Sequence, residues 1–272
     1  MEKKDYLLKQ YMVEDKDIKK FIKSYWILKK SGEDEKIPKL FPIPSAHIII
    51  SLEDDCSFES KGERRQIDGD MVFHPTTHMW SIYYGRNTHI IGIELSPQGY
   101  YYLSGEDVSK KVDKIEPLRE ALPGLWRFIQ RERENLRKHR LEGLKGYLRK
   151  EFQKYFEDGD ARIIDEVTGY VDREQILIRE VTERLGFSVR TLERKFKRNT
   201  GLTLKKYQTI LRLNALLEDI YMTEEINWGE LAVKHGFFDQ AHMIKMLKEY
   251  LGMAPGEYLE VRDLLGDIFE VE

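Results

Sequence analysis

Cysteine is almost missing. Cys56 stands alone among 272 residues, which excludes an intramolecular disulfide framework and any cysteine-based zinc site. Long apolar runs are missing as well. The longest stretch without a charge, Met71–Gly85, contains His74, Pro75, Thr76, Thr77 and His78, and is too short and too polar to cross a bilayer. The opening residues, Met1-Glu-Lys-Lys-Asp-Tyr-Leu-Leu, lack the apolar segment of a secretory leader. There is no overall excess of positive charge. A net charge of -3 rules out a globally basic coat, though not a local basic patch. No phosphate-cradling glycine loop, Gly-x-Ser-x-Gly elbow or recognisable pair of catalytic carboxylates is found. These absences point to a cytoplasmic protein with no membrane span, no cofactor motif and no enzymatic signature.

What is present is enough for real cores. Hydrophobic residues make up 41% and charged residues 34% of the chain, and at ~100–200 residues per domain two domains are expected. The first half carries short β-branched and aromatic runs: Tyr25–Lys29, His47–Leu52, Met71–His74, Met79–Tyr84 and His89–Leu95. Breakers at Pro42, Pro44, Asp68-Gly69-Asp70 and Gly85 separate them, the pattern of a small barrel or half-barrel. From Ser96-Pro97 onward helical spacing takes over. Leu136, Leu141, Leu144, Leu148 and Phe152 predict an amphipathic helix over 135–157, either bridging domains or forming a dimer contact. Glu157-Asp-Gly-Asp160 breaks the pattern, so the expected domains are 1–157 and 161–262, with a tail at 263–272. The fold class expected is α+β.

The second half contains an internal repeat. Gly186-Phe187 pairs with Gly236-Phe237 at an offset of 50, whereas Lys197, Gly201 and Tyr207 pair with Lys248, Gly252 and Tyr258 at an offset of 51. The second copy therefore has one extra residue in its turn, at Phe238-Asp239. Each copy has the grammar of a helix-turn-helix. A glycine allows the left-handed exit from a short helix. A polar cap, Ser188 or Asp239, then accepts from the orphan amides of the next helix. In the first copy Leu192 and Phe196 face inward at i and i+4, and Arg190, Glu193, Arg194 and Lys197 occupy the other face. An arginine so presented can span guanine O6 and N7 in the major groove.

Charge supports this reading. Arg184–Arg212 holds nine basic residues against one acidic, Glu193, a local +8. Glu218–Arg262 holds four basic against nine acidic, a local -5. A merely solvated helix face would have acids interspersed among the bases. The first unit is therefore expected to dominate contact with phosphate.

Taken together these residues resemble the AraC/XylS transcriptional regulators, whose DNA-binding domain holds two helix-turn-helix units joined by a long helix. The resemblance covers about 170–260. It rests on Ser188, Leu192, Phe196-Lys197, Gly201 and Tyr207, on Arg212, Ala215 and Leu217, and on Gly236-Phe237, Asp239-Gln240, Lys248, Gly252, Pro255 and Tyr258. The chain departs from the family at Thr182, Leu204, Met243 and Leu247. The resemblance implies base-reading positions at Arg190, Glu193 and Arg194 in the first unit, and at Gln240, His242 and Lys245 in the second. Lys197 and Arg198 are the candidates for phosphate.

The first half is similar to the sensor module of one AraC-type subgroup, through Tyr25-Trp26, Pro42-Ile-Pro44 before His47-Ile-Ile-Ile, and Gly92-Ile-Glu-Leu-Ser-Pro-Gln-Gly99. This implies a cupin-like half-barrel for an effector or for dimerisation. His47, His78, Trp80, Tyr83 and Glu94 are the candidate ligand-binding residues; Tyr84 and Tyr100–Tyr102 join them as either pocket lining or core. His47, His74, His78 and His89 lack the close His-x-His pair of a cupin metal site, so no metal is assigned.

The function expected is a sequence-specific regulator that binds double-stranded DNA as a homodimer, is controlled by a small-molecule effector, and has RNA polymerase as a further candidate partner. Two alternatives stand beside it: a cupin-like metal-dependent enzyme fused to a DNA-binding domain, and a helical module that recruits a protein partner.

Overall fold

The computed structural model describes residues 6–32, 39–54, 56–67, 69–173, 182–183, 186, 188–223 and 225–252. Arg184, Phe187, Pro255, Tyr258 and the 263–272 tail lie outside them. The β-rich N-terminal half and the helical C-terminal half follow the switch in periodicity near Ser96.

Among the described residues ten strands form two antiparallel sheets. They are β1 (Tyr6–Met12), β2 (Ile22–Ser31), β3 (Lys39–Leu40), β4 (His47–Ser51), β5 (Cys56–Ser60), β6 (Glu63–Ile67), β7 (Met71–Phe73), β8 (Trp80–Tyr83), β9 (Asn87–Leu95) and β10 (Ile115–Pro117). The larger sheet runs β1-β2-β9-β4-β7-β10 and the smaller β3-β8-β5-β6. Five strands, β1, β3, β5, β10 and β6, lie outside the apolar runs read from the sequence. The last of these, β6, is joined to β5 by a two-residue turn in which Lys61 (φ 52°) and Gly62 (φ 79°) both take the left-handed conformation. This geometry matches the twist of a hairpin.

The larger sheet is buried on both faces, which explains its continuous apolar runs. Tyr25, Ile27, Ile48, Ile50, Ile91 and Ile93 face a layer of helices. The alternate residues Leu28, Ile49 and Ile90 meet Cys56, Phe58 and Ile82 of the smaller sheet. The helical layer contains α1 (Lys16–Lys19), α2 (Gly99–Ser104), α3 (Leu118–Ala121), α4 (Pro123–Arg137) and α5 (Glu142–Gln153). Arg133 of α4 anchors it through Asp70, whose carboxylate also accepts from Gln130 and from the Ser51 amide.

The single helix expected over 135–157 is corrected. The chain breaks after Arg137, passes through a left-handed His139 (φ 58°) and restarts at Glu142. Leu136 and Leu141 are five residues apart and both buried; a continuous helix could not turn both inward. The apolar face of α5, Leu144, Leu148 and Phe152, packs into the core beneath the larger sheet, so that face is filled within the N-terminal half.

The C-terminal half comprises α6 (Gly159–Arg173), α7 (Val189–Thr200), α8 (Leu204–Met222), α9 (Trp228–Lys234) and α10 (Gln240–Leu251). The long helix α8 buries Tyr207, Ile210, Leu213, Leu217 and Ile220 at the centre of this core. The two halves share contacts. Phe41, 8% exposed, sits in the C-terminal core beside residues of α8. The Pro42 carbonyl accepts from Asn214 Nδ2 at 3.1 Å. The Met79 amide donates to the Tyr250 carbonyl at 3.1 Å.

Candidate nucleic-acid interface and sensor cavity

Both helix-turn-helix turns are built as local chemistry dictates. Gly186 (φ 69°) and Gly236 (φ 66°) take the left-handed conformation. Ser188 Oγ caps α7 by accepting from the Thr191 amide at 3.2 Å. Asp239 caps α10 by accepting from the His242 amide at 2.7 Å. The extra residue of the second turn is Phe238, whose ring is 92% exposed.

On α7, Leu192 and Phe196 are fully buried, and Phe196 meets Tyr207 of α8 edge-on at 5.4 Å. Arg190, Glu193, Arg194 and Lys197 are exposed on the opposite face. Among the described residues none of these four side chains has an ion-pair partner. Arg198 differs, because its guanidinium lies 5.4 Å from the centre of the Tyr101 ring on α2. Three further cations counted in the basic stretch are also engaged. Lys195 pairs with Asp160 at 2.5 Å. Lys206 sits 4.3 Å over the Tyr250 ring. Arg212 lies 5.5 Å from the Phe237 ring and donates to the Gly236 carbonyl.

On α10, Gln240, His242 and Lys245 are exposed and Met243 and Leu247 are buried. The methionine and leucine thus fill the positions where the resemblance has phenylalanines. The His242 ring leans edge-on against Phe237 at 5.5 Å. Asp219 of α8 holds Lys234 and His235, each at 2.6 Å. Its carboxyl is held below the usual range, chiefly by the Lys234 hydrogen bond.

A second feature lies between the two sheets. A cavity of about 240 Å³ is lined by Leu8, Trp26, Leu40, Ile43, Phe58 and Tyr84 among others, with Gln10, His47 and Glu94 as its polar groups. Strand register brings the polar groups together, since Glu94 lies opposite Ser24 on one side and His47 on the other. Ser24 Oγ donates to Glu94 Oε2 at 2.9 Å and accepts from Gln10 Nε2 at 2.9 Å. Desolvation holds His47 below the usual histidine value despite the nearby Glu94. Gly92 is required here: a Cβ at that position would lie 1.9 Å from the Trp26 indole, which covers the strand.

Of the five ligand candidates, His47 and Glu94 line this cavity. Trp80 packs edge-on against Phe73 at 5.5 Å within the inter-sheet core. His78 stacks on Trp80 and lies 3.2 Å from Asp113. Tyr83 points away, donating to Glu59 at 2.7 Å under the Arg64 guanidinium. Tyr100 and Tyr102 belong to the helical-layer core. The four histidines weighed for metal go to separate partners: His74 to Glu116 and His89 to His139, besides His47 and His78.

The fold and site define a class: a two-sheet domain joined to a double helix-turn-helix. Residues 181–260 match the family described as "Helix-turn-helix domain", and residues 14–117 match "Domain of unknown function (DUF6597)". The helix-turn-helix match over the C-terminal region agrees with its resemblance to the AraC/XylS regulators. A relative, the HTH-type transcriptional activator RhaS of Enterobacter sp. (strain 638), is 29% identical over 109 residues, 39% of each chain. The match thus spans well under half of that relative's length. Among solved structures, ToxT from Vibrio cholerae is 14% identical over 87% of this chain and 97% of its own, with a TM-score of 0.43. The C-terminal domain of AraT from Geobacillus stearothermophilus is 22% identical over 36% and 84%, with a TM-score of 0.34. No described helix is long and apolar enough to cross a membrane.

Proposed function

We propose that this chain is a sequence-specific, DNA-binding transcriptional regulator. The observation that carries the reading is the face of α7, where Arg190, Arg194 and Lys197 stand exposed and, among the described residues, without ion-pair partners above the buried Leu192 and Phe196. A helix anchored on one side and cationic on the other is suited to the major groove. Arg190, Glu193 and Arg194 read bases, and Lys197 contacts phosphate. Arg198 joins it on leaving Tyr101. Gln240, His242 and Lys245 read a second half-site, with shallower preference because none offers a bidentate guanidinium.

In this reading residues 1–157 form the effector and dimerisation domain and 161–262 the DNA-binding domain, followed by the tail at 263–272. The inter-sheet cavity, with His47 and Glu94, receives a small-molecule effector. The regulator is a cytoplasmic homodimer without catalytic activity, and its acidic second unit offers a surface to RNA polymerase. Selection of bound sequences from random duplex, followed by footprinting, tests the central claim. A recovered motif that blurs at one or two base pairs in Arg194→Ala supports it. Failure to enrich any sequence, with no salt-dependent duplex binding, would sink it and favour the partner-recruiting alternative.

A further inference from the structure

The chemistry of the cavity narrows what it can hold. Twelve of its fifteen lining residues are aliphatic, aromatic or cysteine, so most of any occupant must be apolar. At about 240 Å³ it is smaller than the roughly 300–1,000 Å³ of drug-sized sites, so the occupant is small. Its charge is one-sided. Among the described residues Glu94 is the sole carboxylate in the lining, and neither lysine nor arginine lines it. Two lysines lie outside the lining: Lys23, at the long distance of 3.9 Å from Glu94 Oε1, and Lys30, 5.8 Å from the centre of the Tyr84 ring. Ser24 occupies only part of the acceptor capacity of the carboxylate. His47 is held neutral by desolvation and adds no positive charge at neutral pH.

The aromatic groups favour the same sign. The absence of a side chain at Gly92 lets the Trp26 indole lie over β9 at the polar end of the cavity. The electron-rich face of an indole attracts a cation, and does so more strongly where water is scarce. A carboxylate beside an indole, within an otherwise apolar chamber, is a receptor for an ammonium carried on a hydrocarbon body. An anionic effector would meet Glu94 with no lining cation to offset the repulsion.

We infer that the cavity binds a small organic amine, with its ammonium at Glu94 and its aromatic or branched body against Trp26, Phe58 and Ile43. The inference rests on reading the cavity as the effector site. Binding measured on the full chain without DNA keeps its failure distinct from failure of the DNA-binding reading.

The test uses three probes with nearly the same body: 2-phenylethylamine, 2-phenylethanol and 3-phenylpropanoate, titrated by calorimetry at neutral pH. The amine should bind saturably and at least about tenfold more tightly than the carboxylate, a difference of ~1.4 kcal/mol. In Glu94→Gln, which keeps an acceptor for Ser24, the advantage of the amine over the alcohol should vanish. If that variant fails to fold, the wild-type order of the three probes decides alone. Carboxylate binding equal to or tighter than the amine, no saturable amine binding up to millimolar concentration, or an unchanged amine affinity in a folded Glu94→Gln would each overturn the assignment.

Discussion

Gly201 and Gly252 hold the same place in the two helix-turn-helix units. Both are left-handed, and both donate to a carbonyl four residues back. Their surroundings differ. A Cβ on Gly201 would lie 2.9 Å from Val112 and 3.1 Å from the Val108 carbonyl, whereas one on Gly252 would meet none of the described residues within 4 Å. The first unit leans on the N-terminal half, through Val108, Val112 and Tyr101. The second is braced mainly from within the C-terminal half, by Arg212 and Asp219 of α8, and meets the N-terminal half through the Met79 amide on the Tyr250 carbonyl. One repeated motif is thus held by two unequal supports, and perturbations of the N-terminal half around Val108 and Val112 should reach the first unit ahead of the second.

Acid should give the largest separation. His74 is fully buried, its Nε2 is 2.8 Å from Glu116 and its Nδ1 has no hydrogen-bond partner. Burial pushes its pKa down to about 4, with Glu116 and Glu106 opposing and Lys111 reinforcing. The neutral form is therefore the folded form. Stability is complete above the unfolded value near 6.5 and is lost as pH falls toward 4, by roughly 3 kcal/mol at the lower limit. Melting followed from pH 7.5 to 4.5 should show a shallower fall in His74→Gln than in the wild type. Hydrogen exchange, corrected for intrinsic rates, should rise in α7 before α10. Simultaneous loss in both helices would break the contrast between the units.

Glycine replacement comes next. Gly201→Ala should cost about 2 kcal/mol, combining left-handed strain with the clash at Val112, and Gly252→Ala about 1 kcal/mol from strain alone. Equal losses in urea titrations would show that the first unit does not rest on Val108 and Val112.

On DNA the expected effects are smaller. Arg194→Ala should cost about 1.5 kcal/mol of operator affinity and Gln240→Ala less than half of that. Base-by-base operator mutation would measure this, and comparable losses would mean that both units read equally. Lys197→Ala should leave the sequence preference intact and lower the salt slope by about one unit. An altered motif would move Lys197 from phosphate to base.

Features that depend on near neighbours in sequence were legible. The caps Ser188 and Asp239, the left-handed glycines and the single inserted residue at Phe238 follow from spacing, because a helix terminus is satisfied by residues next to it. Tertiary use of charge was not legible. The excess of +8 counts Lys195, Lys206 and Arg212 as available, yet each holds an internal partner. Long side chains spend their charge on whatever the fold brings near, and spacing carries no record of it. The cavity shows the same limit. Register on β2, β4 and β9 gathers Ser24, His47 and Glu94, while the other wall comes from strands that were partly missed. Tyr83 and Tyr84 look equivalent in sequence, but they fall on opposite faces of the smaller sheet.

The segment Leu40–Ile43 has a consequence of its own. Leu40 and Ile43 line the cavity, while between them Phe41 is embedded in the C-terminal core and Pro42 is tied to Asn214. A molecule filling the cavity and a duplex pulling on the helices therefore act on the same four residues. If occupancy changes operator affinity by some factor, thermodynamic reciprocity requires operator to change occupancy by that same factor. The promoter then sets how sensitive the sensor is, and two operators of unequal strength would give one protein two different thresholds for the same signal.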